Sequence, residues 1–499
     1  MYSYDQQEPE ARETVHGLYY EPHDEAKKRG YGEYRGHVQH IDLIATVNSF
    51  NDHAYNKLVE KLGVTPNRIY MTQSIPMRFP GNKAPVPGDT AASEPPQPAT
   101  LEETIVQRQT VMTLSLSSYV VLSLSTVLAG NWAKADSFIP TVSGTPQELG
   151  NVTDPTINRD SCVSARFGSR MLWTCRDSQP YDSNGTPILP VYSSSASWTD
   201  FNDTGTPTIQ STIQGSDSSQ IGLLCYGDNN EQPFFPITTS ECNDNSAGGC
   251  PDGTRYAIWP NSPPLMTFGD PSTGSVVAYT WILQSHITSN LALLDPDPPT
   301  TLYQINYNGT AGSLNSTELP SVVSVDDTFW KADQIPYGTY GGAVVNDTAY
   351  LYGMSTAGTI GLAQVPADQV SNQTAYQYYV NNAWTSIAPG VNDTGVDISN
   401  AGAGGQGTFY YSTIWDLFVW IGQAGESIAA DFYITTAPAA EGPWAEPVKF
   451  YSGESNGMAY SLQANPGLVS DPNENAIYLS YTVSTDVGYY TPLVYVQWE

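Results

Sequence analysis

Basic residues are scarce over most of this 499-residue chain. Only eight of the nineteen lysines and arginines follow Met112, whereas fifty aspartates and glutamates bring the formal net charge to −31. A surface this acidic repels phosphate backbones and anionic lipid headgroups. We therefore expect no nucleic-acid partner and no electrostatic attachment to membranes. A neutral ligand is favoured.

Histidine is also nearly absent, because His286 is the single histidine after Met112. Histidine is the most frequent general base and a common metal ligand. One histidine gives little basis for a histidine-based nucleophile relay and cannot form a multi-histidine metal site. We therefore expect no metal and no cofactor. The glycine-rich residues 402–407 lack the lysine and the following helix of a phosphate-binding loop. They are expected to form a flexible rim loop.

One apolar run divides the chain. It begins at Met112, is uncharged as far as Ala133, and ends on Ala133-Lys134-Ala135. This pattern fits a signal peptide cleaved before Asp136. The apolar part is short for a spanning helix, which needs about 20 residues, so a type II membrane anchor or a buried structural segment is the alternative. We expect three regions: a partly disordered extension over 1–111, a signal or anchor over 112–135, and a folded domain over 136–499.

The extension admits two interpretations: an upstream exon joined in error, or the cytoplasmic tail of an anchored protein. The folded domain has features of a secreted protein. Eight Asn-x-Ser/Thr glycosylation sequons occur, none before Met112, and they begin at Asn151, Asn184, Asn202, Asn308, Asn315, Asn346, Asn372 and Asn392. All five cysteines also follow Met112, and disulfides persist in secreted proteins. The sequence predicts a secreted glycoprotein.

The cysteine spacing predicts two disulfides. A two-residue turn at Gly168-Ser169 sets Cys162 directly opposite Cys175 at a non-hydrogen-bonded position of a hairpin, where the two β-carbons come close. Cys242 and Cys250 flank a short loop and are the next pair, which leaves Cys225 free. Other pairings of the five cysteines remain open at this stage.

Short runs of β-branched and aromatic residues, separated by Gly, Pro, Asn and Asp, fill the chain from about residue 150 onward. They indicate an all-β domain that is too long for one sandwich. A strand that ends in small residues recurs over 172–178, 223–229, 349–355, 418–424 and 478–484. Five units of this kind predict a five-bladed β-propeller.

An ordered series of motifs runs through residues 341–385, 431–451 and 458–483. The motifs are Tyr352-Gly353, Gln364-Val365-Pro366, Tyr376-Gln377-Tyr378, Trp384, Gly442-Pro443-Trp444 and Pro466. Together they resemble blades three, four and five of the domain of unknown function 4185 proteins, in which an arginine stands in place of Gln364. The resemblance implies a five-bladed propeller and, for characterised members, glycoside hydrolysis of furanose polymers such as arabinan.

The same resemblance extends to two aspartates near the start of the domain. Asp160 and Asp177 stand where the family has an aspartate and a Gly-Asp-Thr, with Arg176 and Ser178 replacing the glycine and the threonine. The hairpin register independently sets Asp160 opposite Asp177, with Arg159 and Arg176 beside them. Glycoside hydrolysis needs one carboxylic acid and a second carboxylate. Mutual repulsion and a nearby guanidinium separate their pKa values.

We name Asp160 and Asp177 as the leading catalytic candidates and Glu454, which opens the fifth unit, as the third. The alternative for the aspartates is a pair of surface turns or a structural ion pair, and Glu454 has a structural alternative as well. The predicted function is hydrolysis of a neutral or furanose-containing polysaccharide by a secreted monomer. A non-catalytic propeller that binds glycan or protein at the cell surface is the second hypothesis, because a fold alone does not decide function.

Overall fold

The computed structural model describes residues 138–201, 205–207, 221–222, 232–242, 248–309, 316–425, 427–486 and 488–499. The predicted N-terminal extension and the signal or anchor segment lie outside these residues, as do Cys225 and the repeat at 223–229. The predicted region boundaries therefore stay predictions. In the described part of the chain, no helix is long and apolar enough to cross a membrane.

The described residues form 26 strands and three 3₁₀ helices, the latter at Ala367–Gln369, Gln373–Ala375 and Pro466–Leu468. The strands are β1 Gln147–Thr153, β2 Ile157–Arg159, β3 Cys162–Phe167, β4 Arg170–Cys175, β5 Ser178–Pro180, β6 Ser195–Asp200, β7 Ile221–Gly222, β8 Arg255–Ala257, β9 Leu265–Asp270, β10 Ser275–Leu283, β11 Ser285–Ile287, β12 Thr300–Asn308, β13 Ser321–Trp330, β14 Gly341–Val345, β15 Thr348–Met354, β16 Ile360–Pro366, β17 Gln377–Val380, β18 Ala383–Thr385, β19 Gly404–Ser412, β20 Leu417–Ala424, β21 Asp431–Ala437, β22 Val448–Ser452, β23 Met458–Ala464, β24 Ala476–Thr485, β25 Gly488–Tyr490 and β26 Pro492–Gln497.

Five antiparallel sheets form the blades. Blade one is β3-β4-β6, blade two β9-β10-β12-β13, blade three β14 to β18, and blade four β19 to β22. Blade five is β23-β24-β26 with β25 beside β24, and it is completed by β1 from the other end of the domain, which pairs Gln147 with Tyr495. The predicted all-β, five-bladed propeller is confirmed.

The first strands of the blades face the centre. Contacts join β3 to β9, β9 to β14, β14 to β19 and β19 to β23. The ring closes where Ser164 of β3 donates a hydrogen bond of 2.5 Å to the Asn465 side chain, which follows β23. The starts of these five strands therefore lie around the axis at one end of the propeller.

Five apolar clusters fill the interfaces between successive blades. Phe167 packs with Ile305 between blades one and two, and Trp281 with Leu351 between blades two and three. The remaining three clusters join blades three to four, four to five, and five to one. Each blade is thus covered on both faces, which explains why most residues of its second strand are buried.

The sequence repeat marks these second strands. Residues 172–178, 349–355, 418–424 and 478–484 fall on or overlap β4, β15, β20 and β24, and all six residues of β4 are buried. In blade two the second strand is β10, from Ser275 to Leu283. The predicted repeat at 223–229 lies outside the described residues, and the predicted number of five blades is confirmed.

The motifs behind the family resemblance lie in blades three, four and five, and several of them pack between blades. Tyr352 stacks on Phe409 with ring centroids 3.8 Å apart, and its phenol donates a hydrogen bond of 2.9 Å to the Ala440 carbonyl. Trp444 packs edge-on against both rings. These motif residues stabilise the interface between blades three and four.

Candidate active site

One continuous register governs the hairpin that carries the two leading aspartates. Phe167 pairs with Arg170 across the turn, where Gly168 has a φ of 61°, and Cys162 pairs with Cys175. The Cys162–Cys175 disulfide has a Cα separation of 4.0 Å. The Cys242–Cys250 disulfide is also present. Both predicted disulfides and the predicted register are confirmed.

The same register continues past the disulfide into β2 and β5. The Asp160 amide donates to the Asp177 carbonyl at 2.8 Å, and the Arg176 amide donates to the Asp160 carbonyl at 2.9 Å. The structure therefore brings Asp160 and Asp177 side by side at the start of the inner strand of blade one, as the pairing register of the hairpin predicts.

The side chain of Asp160 is half-buried, and one of its two carboxyl oxygens accepts hydrogen bonds. Its Oδ1 accepts hydrogen bonds from the Tyr460 phenol at 2.6 Å and the Ser161 hydroxyl at 2.7 Å. No described group bonds to Oδ2. Burial raises the pKa of Asp160, because the charged form loses hydration, while the Arg176 guanidinium and the two hydroxyl donors oppose the shift. Asp160 thus combines a raised pKa with an oxygen left for a ligand.

Arg176 holds the opposite charge near Asp160 without an ion-pair contact to it. Its Nη2 donates to Asn261 Oδ1 at 2.6 Å and to Gln406 Oε1 at 2.8 Å. Gln406 in turn donates to the Asn261 carbonyl at 2.7 Å. The hydrogen bonds among Arg176, Asn261 and Gln406 fix the position of the guanidinium. Its positive charge therefore acts on Asp160 from a fixed position.

Asp177 is bound on both carboxylate oxygens. Arg255 makes a two-point ion pair with it, in which Nη1 donates to Oδ1 at 3.0 Å and Nη2 to Oδ2. The Trp259 indole adds a donor at 3.1 Å from Oδ1. Such bidentate charge-assisted bonds fix the direction of the carboxylate. The two aspartates therefore have different surroundings.

Irregular backbone lies at the points where blades one, four and five meet the axis. Ser161 and Ser461 have φ values of 44° and 53°. The ladder of β23 shifts between Tyr460 and Gln463, and that of β19 shifts around Gln406. Bulges of this kind re-aim side chains and occur next to active sites. The Ser461 hydroxyl lies 2.8 Å from both Ser161 Oγ and Gln406 Oε1, so it joins the three blades.

Glu454 lies apart from this group. It is exposed in the loop between β22 and β23. Burial is the main cause of the raised pKa values of Tyr451, on the outermost strand of blade four, and of Tyr481, and the Glu454 carboxylate adds a small contribution to both. Among the described contacts none joins Glu454 to Asp160 or Asp177. Its predicted catalytic role stays a prediction that this placement does not support.

Two other sequence expectations concern nearby residues. Arg159 does not face the aspartates: its Nη2 lies 3.5 Å from the Val152 carbonyl, and its charge interacts with Asp154. The glycine-rich residues 402–407, expected as a flexible rim loop, instead begin inner strand β19, with Gly404 to Gly407 in the bulge that presents Gln406. That expectation was wrong, because the small residues are needed where Trp420 and the Ile421 carbonyl approach Gly407.

Sequence reasoning missed Tyr460, Gln406, Asn261, Arg255 and Trp259 as members of the site. Trp259 differs from most of the described tryptophans, which fill the space between blades; Trp173, Trp281, Trp330 and Trp420 are at most 2% exposed. His286 stacks on Tyr256 with ring centroids 4.4 Å apart. Over the described ranges, no group of three His, Cys, Asp or Glu side chains could hold a metal ion.

Comparison with known proteins leaves the family open. No family model matches the chain, and no curated protein matches it. Among solved structures, it is similar to a putative hydrolase from Bacteroides ovatus, with 15% identity and a TM-score of 0.46 over 70% of this chain and 87% of that one.

Two further solved structures are less similar. A putative exo-β-1,3-galactanase from Bifidobacterium bifidum has 12% identity and a TM-score of 0.35 over 73% of this chain and 95% of that one. An α-L-arabinofuranosidase from Podospora anserina, in complex with cellotriose, has 10% identity and a TM-score of 0.32 over 72% and 96%. We draw no conclusion about function from likeness at this level. The resemblance to the domain of unknown function 4185 proteins stays a prediction.

Proposed function

We propose that the protein is a glycoside hydrolase that acts with paired carboxylates on a neutral or furanose-containing polysaccharide. One observation carries the proposal: two carboxyl groups stand side by side at the axis of the propeller in contrasting environments. Asp160 has a raised pKa and an oxygen without a described partner, whereas Asp177 is bound through both oxygens by Arg255. Pairs of titratable groups whose environments differ in this way mark an acid and its partner base or nucleophile.

In this mechanism Asp160 is the general acid. Its raised pKa keeps the proton available, and Oδ2 delivers it to the oxygen of the leaving group. Asp177 supplies the second carboxylate, whose negative charge stabilises the oxocarbenium-like transition state. Water adds to the anomeric carbon as the glycosidic bond to the leaving group is replaced, and the proton that the water releases restores the acid form of Asp160. Action of Asp177 as a base or nucleophile requires one of its oxygens to leave Arg255 or Trp259 when substrate binds.

The net charge of −31 supports a neutral substrate, since an acidic polymer would be repelled on approach. A secreted location is part of the proposal. It is supported by the two disulfides and by the exposure of five sequon asparagines on the folded domain, namely Asn184, Asn308, Asn346, Asn372 and Asn392.

Reducing-sugar release tests the proposed activity. Wild-type protein is incubated with arabinans, galactans and neutral fungal wall glycans beside Asp160→Asn and the control Asp270→Asn, which lies at the end of β9. The wild type and the control should cleave the same glycan, and Asp160→Asn should lose about 10² to 10⁴ in rate. For location, N-terminal sequencing of protein secreted by a eukaryotic host should begin near Asp136, and removal of N-linked glycans should lower its mass.

One observation favours the second hypothesis, a propeller that binds glycan or protein without cleaving it. Both oxygens of Asp177 are occupied by Arg255 and Trp259, as in a structural ion pair. Under that hypothesis no glycan of the panel is cleaved, and Asp177→Asn lowers stability while any binding by the wild type is retained.

A further inference from the structure

A cavity of about 210 Å³ lies beside the aspartate site, between the segment that links β1 to β2 and the strand β25. Its walls include Asp154, Asn158, Arg159, Tyr181 and Tyr489. These residues come from the two ends of the folded domain, so the cavity forms only when β1 completes blade five.

The cavity shares a wall with the aspartate site. Asn158 precedes Asp160 by two positions, and its amide donates to the Tyr489 carbonyl at 2.9 Å and to the Tyr181 phenol at 3.2 Å. The pKa of the Tyr489 phenol is raised to about 12 by burial and by the nearby carboxylates of Asp160 and Asp177. The Tyr489 phenol therefore lies both at the wall of the cavity and near the two carboxyl groups.

Two opposite charges line the cavity without a direct ion pair. Arg159 is 4% exposed, and its Nη1 has no hydrogen-bond partner among the described residues. Asp154 is 2% exposed and accepts bonds from the Thr156 amide and hydroxyl and from the Ser197 hydroxyl at 2.6 Å. Each charge influences the pKa of Tyr181, so both lie near the Tyr181 phenol.

Buried polar groups normally have partners, and an unpaired guanidinium nitrogen marks a place for an acceptor. A sugar hydroxyl can accept from Arg159 and donate to Asp154 in turn, and tyrosine rings suit the apolar faces of a sugar. A carboxylate ligand would fit less well, because Asp154 already supplies the negative charge. The lining thus matches an uncharged polyol.

We propose that this cavity is a subsite for one neutral sugar unit of a chain whose neighbouring bond lies at Asp160. The inference rests on the proposed function in naming the substrate class, but its test measures binding and needs no turnover.

The test uses the Asp160→Asn protein, made in a host without N-linked glycosylation because the cavity-lining Asn151 begins a sequon. Calorimetry measures the affinities of arabino- and galacto-oligosaccharides of increasing length, and of oligogalacturonates of the same lengths. Tyr181→Ala removes one wall of the cavity from a half-buried position, and Tyr379→Ala on blade three is the matched control. Arg159→Lys tests the guanidinium.

We expect a neutral oligosaccharide to bind, and Tyr181→Ala to weaken its binding about tenfold, as the loss of one aromatic contact implies. Arg159→Lys should also weaken it, and Tyr379→Ala should not. Unchanged affinity in Tyr181→Ala, tighter binding of the oligogalacturonates, or no binding of any oligosaccharide would overturn the inference. Failure of hydrolysis alone, with this pattern of binding intact, would overturn only the proposed function.

Discussion

Tyr460 of blade five donates a hydrogen bond of 2.6 Å to Asp160 of blade one, across a separation of 300 positions in the sequence. The contact spans the point where the ring of blades closes. Asp160 therefore has its observed surroundings only in the closed propeller, since burial, Tyr460 and Arg176 come together there.

Removal of the Tyr460 hydroxyl should shift the pH dependence of hydrolysis. The hydrogen bond from Tyr460 lowers the pKa of Asp160, so Tyr460→Phe should raise that pKa further. The limb of the pH–rate profile that reports Asp160 should then move to higher pH. Tyr379→Phe on blade three is the control, and an unmoved limb in Tyr460→Phe would contradict the assignment of Asp160.

Asp160→Asn should change how stability depends on pH. The folded-state pKa of Asp160 is raised, so its favourable contribution is complete below the unfolded pKa of about 3.9 and is lost as pH rises through the folded value. The neutral asparagine avoids this loss. The melting temperature of Asp160→Asn relative to wild type should therefore increase as pH rises from about 4 to about 7.

Asp270→Asn gives the opposite trend and serves as the comparison. Hydrogen bonds from Ser272 lower the pKa of Asp270, so its contribution is present above the unfolded pKa and is lost as pH falls. Thermal unfolding of both variants over the same pH series checks the two signs. Parallel curves for Asp160→Asn and wild type would show that Asp160 titrates normally.

Gln406→Met should lower stability, because it removes hydrogen bonds to buried polar groups of three blades, among them the bond to the Asn261 carbonyl. Arg176, Ser461 and Asn261 all bond to Gln406. An unsatisfied buried group costs about 1 to 3 kcal/mol. Denaturant unfolding measures the loss, with Gln364→Met, at a half-buried position on β16 outside this network, as the control. Equal stabilities of the two variants would mean that the network is not formed in solution.

The Cys162–Cys175 disulfide should be found by non-reducing peptide mapping. It closes a loop with a sequence separation of 13, for which the chain-entropy model gives a stabilisation of about 3 kcal/mol. The double variant Cys162→Ser/Cys175→Ser should unfold at a correspondingly lower denaturant concentration. Recovery of either cysteine as a free thiol, or joined to Cys225, would refute the pairing.

Local patterns in the sequence were enough to predict the blades, the hairpin register and the proximity of Asp160 and Asp177. Each depends on short-range rules: strand alternation, turn length and the apolar second strand. Tyr460, Gln406 and Arg255 could not be predicted in the same way, because nothing near them in sequence shows which blades meet at the axis. In the sequence, the bulges at Ser461 and around Gln406 are marked only by small or glycine residues near the start of an inner strand, which is a weak indication of a bulge.

Glu454 is a second case in which the sequence did not reveal the contacts between blades. Glu454 lies at the opening of blade five, as predicted, but its side chain is exposed and no described contact joins it to the aspartates. Its backbone carbonyl accepts a hydrogen bond of 2.8 Å from Tyr481, which belongs to the apolar cluster between blades four and five.

The most direct test of the central claim compares glycan hydrolysis by Asp160→Asn and Asp177→Asn with that of the wild type. Paired catalytic carboxylates predict that both variants lose about 10² to 10⁴ in rate, while circular dichroism shows that both remain folded. Activity within about threefold of wild type in both variants would contradict the claim, since a proton donor cannot be replaced by an amide at so small a cost. Lowered stability of Asp177→Asn with retained turnover would instead identify Asp177 and Arg255 as a structural ion pair.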